Sequence, residues 1–185
     1  MIDIMKHQRK ACVFNLQLIC IALVLEFLAL IQPAKNIIRQ IDLLLCMVAL
    51  LPALIYVIGS YRKSAAKYYR IFMYLFTASR LCSLADDIVY SIINNCGAFF
   101  ACVFRAPVLL CALLLAFVPN FGRKKSLGAA YTILALELIN AIREVIVVGA
   151  GFDVIVRGIS GVVLACIVCM FVLFKYADKA ARGTI

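Results

Sequence analysis

Apolar residues run in six long blocks along the chain, at 11–31, 41–61, 69–93, 98–118, 127–149 and 154–176. The blocks are continuous and do not alternate, which predicts helices and excludes a β-barrel built from ten-residue alternating strands. Each is about the length a helix needs to cross the hydrocarbon core, roughly 20 residues. The pattern predicts an all-α membrane protein: a six-transmembrane helical bundle forming a single polytopic membrane domain over 1–185. Between the blocks lie only short polar connections, with no stretch long enough for a separate soluble domain. The first block reads as an uncleaved span, because it is too long for a signal h-region and contains Gln17 and Glu26.

Hydrophobic residues make up 66% of the 185 residues, mean hydropathy is +1.08 and charged residues are 15%. No soluble domain of this size could cover so much apolar surface. The basic residues are placed unevenly. Lys6, Arg9 and Lys10 precede the first block, and Arg62, Lys63, Lys67 and Arg70 lie in the second connection. Arg123, Lys124 and Lys125 lie in the fourth, and Lys175, Lys179 and Arg182 end the chain. With six spans these all fall on one side, against Lys35, Arg39 and Arg157 on the other, so the positive-inside rule places both termini in the cytoplasm. The same placement accounts for the net charge of +10, which calls for anionic lipid headgroups and no nucleic acid. The compact form leans towards a bacterial plasma (inner) membrane.

Catalytic and cofactor signals are sparse. The single histidine, His7, lies in the basic N-terminal segment, and no span carries one. That argues against a histidine-ligated haem or a zinc hydrolase, and no Walker loop or G-x-S-x-G is present. Nine cysteines read as small hydrophobes. Cys166 and Cys169 form one C-x-x-C in an apolar helix, without a second pair or nearby histidine. No cofactor or metal is expected, and an enzyme is the weaker reading, resting on Asp86 and Asp87 as paired carboxylates. Gly158, Gly161, Ala165 and Cys169 form a stripe of small residues suited to close helix approach, inside the bundle or against a partner. Pro52 and Pro107 lie within spans.

The chemistry lies in the charges inside the blocks: Glu26, Arg80, Asp86, Asp87, Arg105, Glu137, Arg143 and Glu144. Each costs about 2.5–3.5 kcal/mol at the bilayer centre even on the lenient insertion scale. Eight left unpaired would exceed the whole stability of a typical domain, about 5–15 kcal/mol. They must therefore face inward, pair, or line a wet cavity. Helical spacing agrees. Arg80, Ser83, Asp87, Tyr90 and Asn94 share one face, as do Glu137, Asn140 and Glu144, and as do Asn15 and Glu26. Most of these groups fall towards the outer end of their spans, with Arg39, Asp42, Asp153 and Arg157 at the rim. The candidate solute site or intramembrane polar network is thus Glu26, Arg80, Asp86, Asp87, Arg105, Glu137, Asn140, Arg143, Glu144 and Arg157.

Glu26 and Arg39 are 13 residues apart, as are Glu144 and Arg157, and Asp87 and Arg105 occupy the middle hairpin. Three pseudo-repeated hairpins, each with an acid and then an arginine, would fit a transporter built by duplication. The match is short, and chance stands beside duplication. The near balance of charge suits internal salt bridges or a zwitterionic or cationic solute, and crowded Asp86, Asp87, Glu137 and Glu144 are candidates for proton exchange.

Six spans, cytoplasmic termini, about 180 residues and an outward polar pocket resemble, in general architecture, the substrate-binding component of energy-coupling-factor vitamin transporters. That resemblance implies an ATPase and a second membrane subunit as partners. The family's Ala-x-x-x-Ala pattern is not found in the first span, where Ala22 and Ala29 are seven apart. The expected function is binding or transport of a small polar solute, with a sensor or accessory subunit joined to a signalling protein as the alternative. A purely structural network would account for the charges without either.

Overall fold

A computed structural model describes residues 2–32, 36–59, 65–93, 99–118 and 121–181. Six helices and no strands occur among them: α1 (Ile2–Ile31), α2 (Ile37–Ile58), α3 (Ala65–Ile93), α4 (Phe99–Phe117), α5 (Arg123–Val148) and α6 (Phe152–Ala181). Lys35, Asn94 and Cys96 lie outside the described residues.

Each helix packs on the next in sequence, and α6 returns to pack on α1, closing a ring with α3 touching α6 across it. Neighbours run in opposite directions. Near the start of α1 the Cys12 thiol donates to the Val57 carbonyl near the end of α2 (3.6 Å). Early in α5, Ser126 hydrogen-bonds the Tyr176 hydroxyl late in α6 (2.8 Å). The Asn36 side chain caps α2 by accepting from the Ile38 amide (3.2 Å) and donates to Asp86 Oδ1 on α3 (3.0 Å). Gly149, at φ 100°, allows the turn between α5 and α6.

The outward faces are apolar: Val24, Phe27 and Ile31 on α1, Leu44, Val48 and Leu51 on α2, and Leu138, Ile142 and Ile146 on α5 are all exposed. Such continuous apolar surface demands a nonpolar solvent or partner. Among the described residues three helices are long and apolar enough to cross a membrane: Ala11–Ile31, Ile37–Ile58 and Phe152–Tyr176. Cys102–Phe117 is a shorter apolar helix.

The interior has two halves. At the end of the ring where α2 gives way to α3, the core is aromatic. Tyr56 meets Phe171 edge-on at 4.7 Å, Phe171 meets Phe72 at 5.1 Å, and Phe72 stacks on Phe76 at 6.1 Å. Each such pair adds about 0.5–1.5 kcal/mol beyond area burial. The opposite half holds the charges.

The stripe of small residues on α6 packs inside the bundle, against α5. A Cβ on Gly158 would stand 3.0 Å from Ala141 Cβ, and one on Gly161 would stand 3.0 Å from Glu137 Oε2. The Cys169 thiol donates to the Ala130 carbonyl (3.2 Å), and Cys166 and Cys169 are free thiols.

Candidate functional site

The charged half surrounds a cavity of about 40 Å³, room for about three waters at roughly 10–15 Å³ each. Every helix except α4 brings at least two residues to its wall, and α4 brings Arg105. The wall carries four arginines (39, 80, 105, 157) and six carboxylates (Glu26, Asp42, Asp86, Asp87, Glu137, Glu144), an excess of two negative charges.

Most of these charges form one chain. Arg80 Nη1 donates to Glu137 Oε1 at 2.8 Å, and Arg105 Nη1 donates to Glu137 Oε2 at 3.1 Å. Arg105 Nη2 reaches Glu144 Oε1 at 3.1 Å, and its Nε reaches Asp87 Oδ2 at 3.0 Å. Arg157 Nη2 closes the series on Glu144 Oε2 at 3.3 Å. Arg80, Arg105, Glu137 and Glu144 are each 3–6% exposed. Buried charges survive only when paired and further hydrogen-bonded, and this network supplies three cations to three anions. Gly161 lets α6 approach the Arg80–Glu137 pair without a side chain in the way. The Asn140 amide adds a bond to Glu144 (3.3 Å).

The excess of two sits entirely on the other wall, built by α1, α2 and one face of α3. Asp42 accepts from the hydroxyls of Ser79 and of Ser83 (2.7 Å) and from the Cys46 thiol (3.9 Å). Arg80 touches this group through Ser79 (3.0 Å) and Cys46 (3.5 Å), and its guanidinium lies 5.2 Å from the Phe76 ring centroid, at the boundary with the aromatic half. Glu26 accepts at Oε1 from the Ser160 hydroxyl, and its Oε2 is buried without a hydrogen-bond partner. Arg39 makes no ion pair among the described residues. Arg80, Asn140 and Arg157 also line the cavity, and Arg80 Nε, Asn140 Oδ1 and Arg157 Nε are buried without a hydrogen-bond partner.

The structure therefore brings together nine of the ten residues singled out from sequence: Glu26, Arg80, Asp86, Asp87, Arg105, Glu137, Asn140, Glu144 and Arg157. Arg143 is not among them. It turns towards α4, where its guanidinium lies 5.8 Å from the Phe104 ring centroid. Adjacent residues on a helix point about 100° apart, and with Glu144 held in the cavity by Arg105 and Arg157, Arg143 falls on the side of α5 that meets Phe104. Tyr90, on the expected inner face of α3, is 58% exposed, because a 3.6-residue helix rotates away from a fixed face over three turns. Cys46, Ser79 and Ser160 were not singled out, and Asp42 was placed only at the rim. Asp42 and Cys46 are four apart on the buried face of α2, and that spacing was the available signal.

Of the three expected hairpin pairs, Asp87–Arg105 and Glu144–Arg157 form ion pairs. Glu26 instead bonds Ser160 of α6, because ring closure brings α6 against α1. Among the described residues no three His, Cys, Asp or Glu side chains converge as a metal-binding group.

No family model, curated protein or solved structure matches this chain. The chemistry is therefore read from the side chains themselves.

Proposed function

We propose that the chain spans the membrane six times, with both termini cytoplasmic, and binds a small zwitterionic or cationic solute at its charged cavity. It acts alone as a carrier or as the capturing subunit of a larger transporter, in a bacterial plasma membrane. The observation that carries this reading is the cavity wall: six carboxylates against four arginines, with buried polar atoms left unpartnered. Six spans are supported by length. At 1.5 Å per residue the 29-residue α3 and the 26-residue α5 extend about 44 and 39 Å, beyond the roughly 30 Å hydrocarbon core. Their mean hydropathy is lowered by Arg80, Glu137 and Glu144, which face inward and never meet lipid. The cavity as it stands takes a few waters or a small ion, so a vitamin-sized solute requires the ring to widen.

The accessory reading has one observation in its favour: the ion-pair chain is neutral and largely satisfied, as a purely structural brace would be. A solute panel separates the two. Amino acids, betaines and small amines are added to purified protein and thermal unfolding is followed. A ligand at 100 times its Kd adds about 2.7 kcal/mol, and the effect should vanish in Asp86→Asn or Arg39→Gln, neither of which belongs to the ion-pair chain. If no member of the panel stabilises the protein, the solute reading falls and the network is a brace.

A further inference from the structure

We propose that Glu26 and Asp42, on the wall of the charged cavity, form a site for a small monovalent metal cation of the sodium type. The charge distribution is the starting point. The chain from Arg80 to Arg157, with Asp87, is three cations on three anions and leaves no charge to attract a ligand. The whole negative excess lies on the wall that holds Glu26, Asp42 and Asp86 against Arg39.

Glu26 supplies the second, independent observation. It is 2% exposed, lines the cavity, and has a carboxylate oxygen with no hydrogen-bond partner. A buried carboxylate oxygen left unpaired costs several kcal/mol unless a cation or proton meets it. Asp42 and Cys46 line the same cavity as Glu26, and the Cys46 thiol contacts Asp42. Both carboxylates, from α1 and α2, thus line the one cavity.

The donors define the ion. Around the two carboxylates stand the hydroxyls of Ser160, Ser79 and Ser83. These are hard oxygen ligands, which suit alkali and alkaline-earth cations and not the softer transition metals. Magnesium keeps several waters and demands an octahedral shell, which a cavity of about 40 Å³ does not hold. A largely dehydrated monovalent ion with one or two waters fits. Because the excess is two charges, one such cation still leaves the cavity attractive to a cationic or zwitterionic solute.

The test uses the full-length protein in mild detergent, with no solute present. The chain has no Trp but nine Cys, so thermal unfolding is followed with a thiol-reactive dye. Sodium chloride is titrated against caesium chloride, whose cation is too large for a sodium-type site and outside the solute panel, at constant ionic strength and pH. The expected result is a saturable rise in Tm with sodium. The half-saturating concentration should rise at least about tenfold in Glu26→Gln and Asp42→Asn, since loss of even an outer-shell partner weakens metal sites 10- to 100-fold. Two milder variants guard against misfolding: Ser160→Ala should weaken sodium binding, and Arg39→Gln, which removes a nearby positive charge, should strengthen it.

Identical Tm in sodium and caesium for the wild-type protein would overturn the proposal without recourse to any variant. So would an unchanged half-saturation in both carboxylate variants. A wild-type Tm that ignores sodium but follows pH, with the pH response lost in Glu26→Gln, would show a proton in place of the metal and also overturn it. The solute panel, run at fixed sodium, fails or succeeds separately.

Discussion

Glu137 is the keystone of the ion-pair chain, and replacing it by glutamine tests whether that chain holds the ring together. Its two oxygens meet two different guanidinium groups, Arg80 at 2.8 Å and Arg105 at 3.1 Å, at 3% exposure. Glutamine keeps the shape and one acceptor but removes the charge and turns the other oxygen into a donor facing a cation. Breaking a buried ion pair by removing one partner costs about 3–5 kcal/mol, and the surviving amide hydrogen bond offsets about 1 kcal/mol. The expected loss is about 3 kcal/mol. Arg105 retains Asp87 and Glu144, so most of this falls on Arg80, whose only ion-pair partner among the described residues is Glu137.

The assay is equilibrium unfolding of the purified protein in mixed micelles, with an Arg80→Met and Glu137→Met double-mutant cycle beside the single variant. The double variant should recover part of the loss, since replacing a buried pair by apolar groups is often neutral, with coupling of about 0.5–3 kcal/mol. If Glu137→Gln lies within about 0.5 kcal/mol of the wild type, the range of an ordinary surface change, the reasoning is refuted. Strict additivity in the cycle would refute it equally.

Three further outcomes are expected. A fluorescent protein fused at the C-terminus should fluoresce, and alkaline phosphatase inserted after Ala150 should be active; phosphatase activity at the C-terminus would reject the topology. Gly161→Leu should destabilise by about 1–3 kcal/mol through overpacking against Glu137, measured by the same unfolding titration, whereas a wild-type value would mean that α6 does not approach the ion pair closely. Arg143→Leu should leave stability unchanged or raised and solute affinity untouched, because Arg143 lies outside the cavity against Phe104; a loss of binding would place it in the site after all.

The six helices were legible because lipid-facing surface needs continuous apolar residues, and observed bounds such as Phe99–Phe117 and Ala65–Ile93 follow the blocks closely. The inner faces of α3 and α5 were legible for the same reason inverted: a charge in an apolar helix must turn inward. What spacing could not reveal was who meets whom. Glu26 and Arg39 are placed like the pairs in the other hairpins, yet Glu26 finds Ser160, 134 residues away, because the ring closes between α1 and α6. Arg143 and Glu144, both charged and adjacent, could not be told apart by composition. Ser160 and Cys46 gave no signal as cavity residues, nor Ser79 as a partner of Asp42, since small polar side chains cost little in any helix.

The aromatic layer formed by Tyr56, Phe72, Phe76 and Phe171 has an electrical consequence. A membrane potential drops mainly across the least polarisable part of its path, and in the proposed orientation that is the ring stack beneath Arg80. A cation resting at Glu26 has passed through little of the field, so its binding should respond only weakly to voltage. Carrying the same charge past the ring stack would traverse most of it, worth about 2.3 kcal/mol per 100 mV. Capture at the charged wall and passage through the layer are therefore distinguishable by electrophysiology: the first near-silent, the second steeply voltage-dependent.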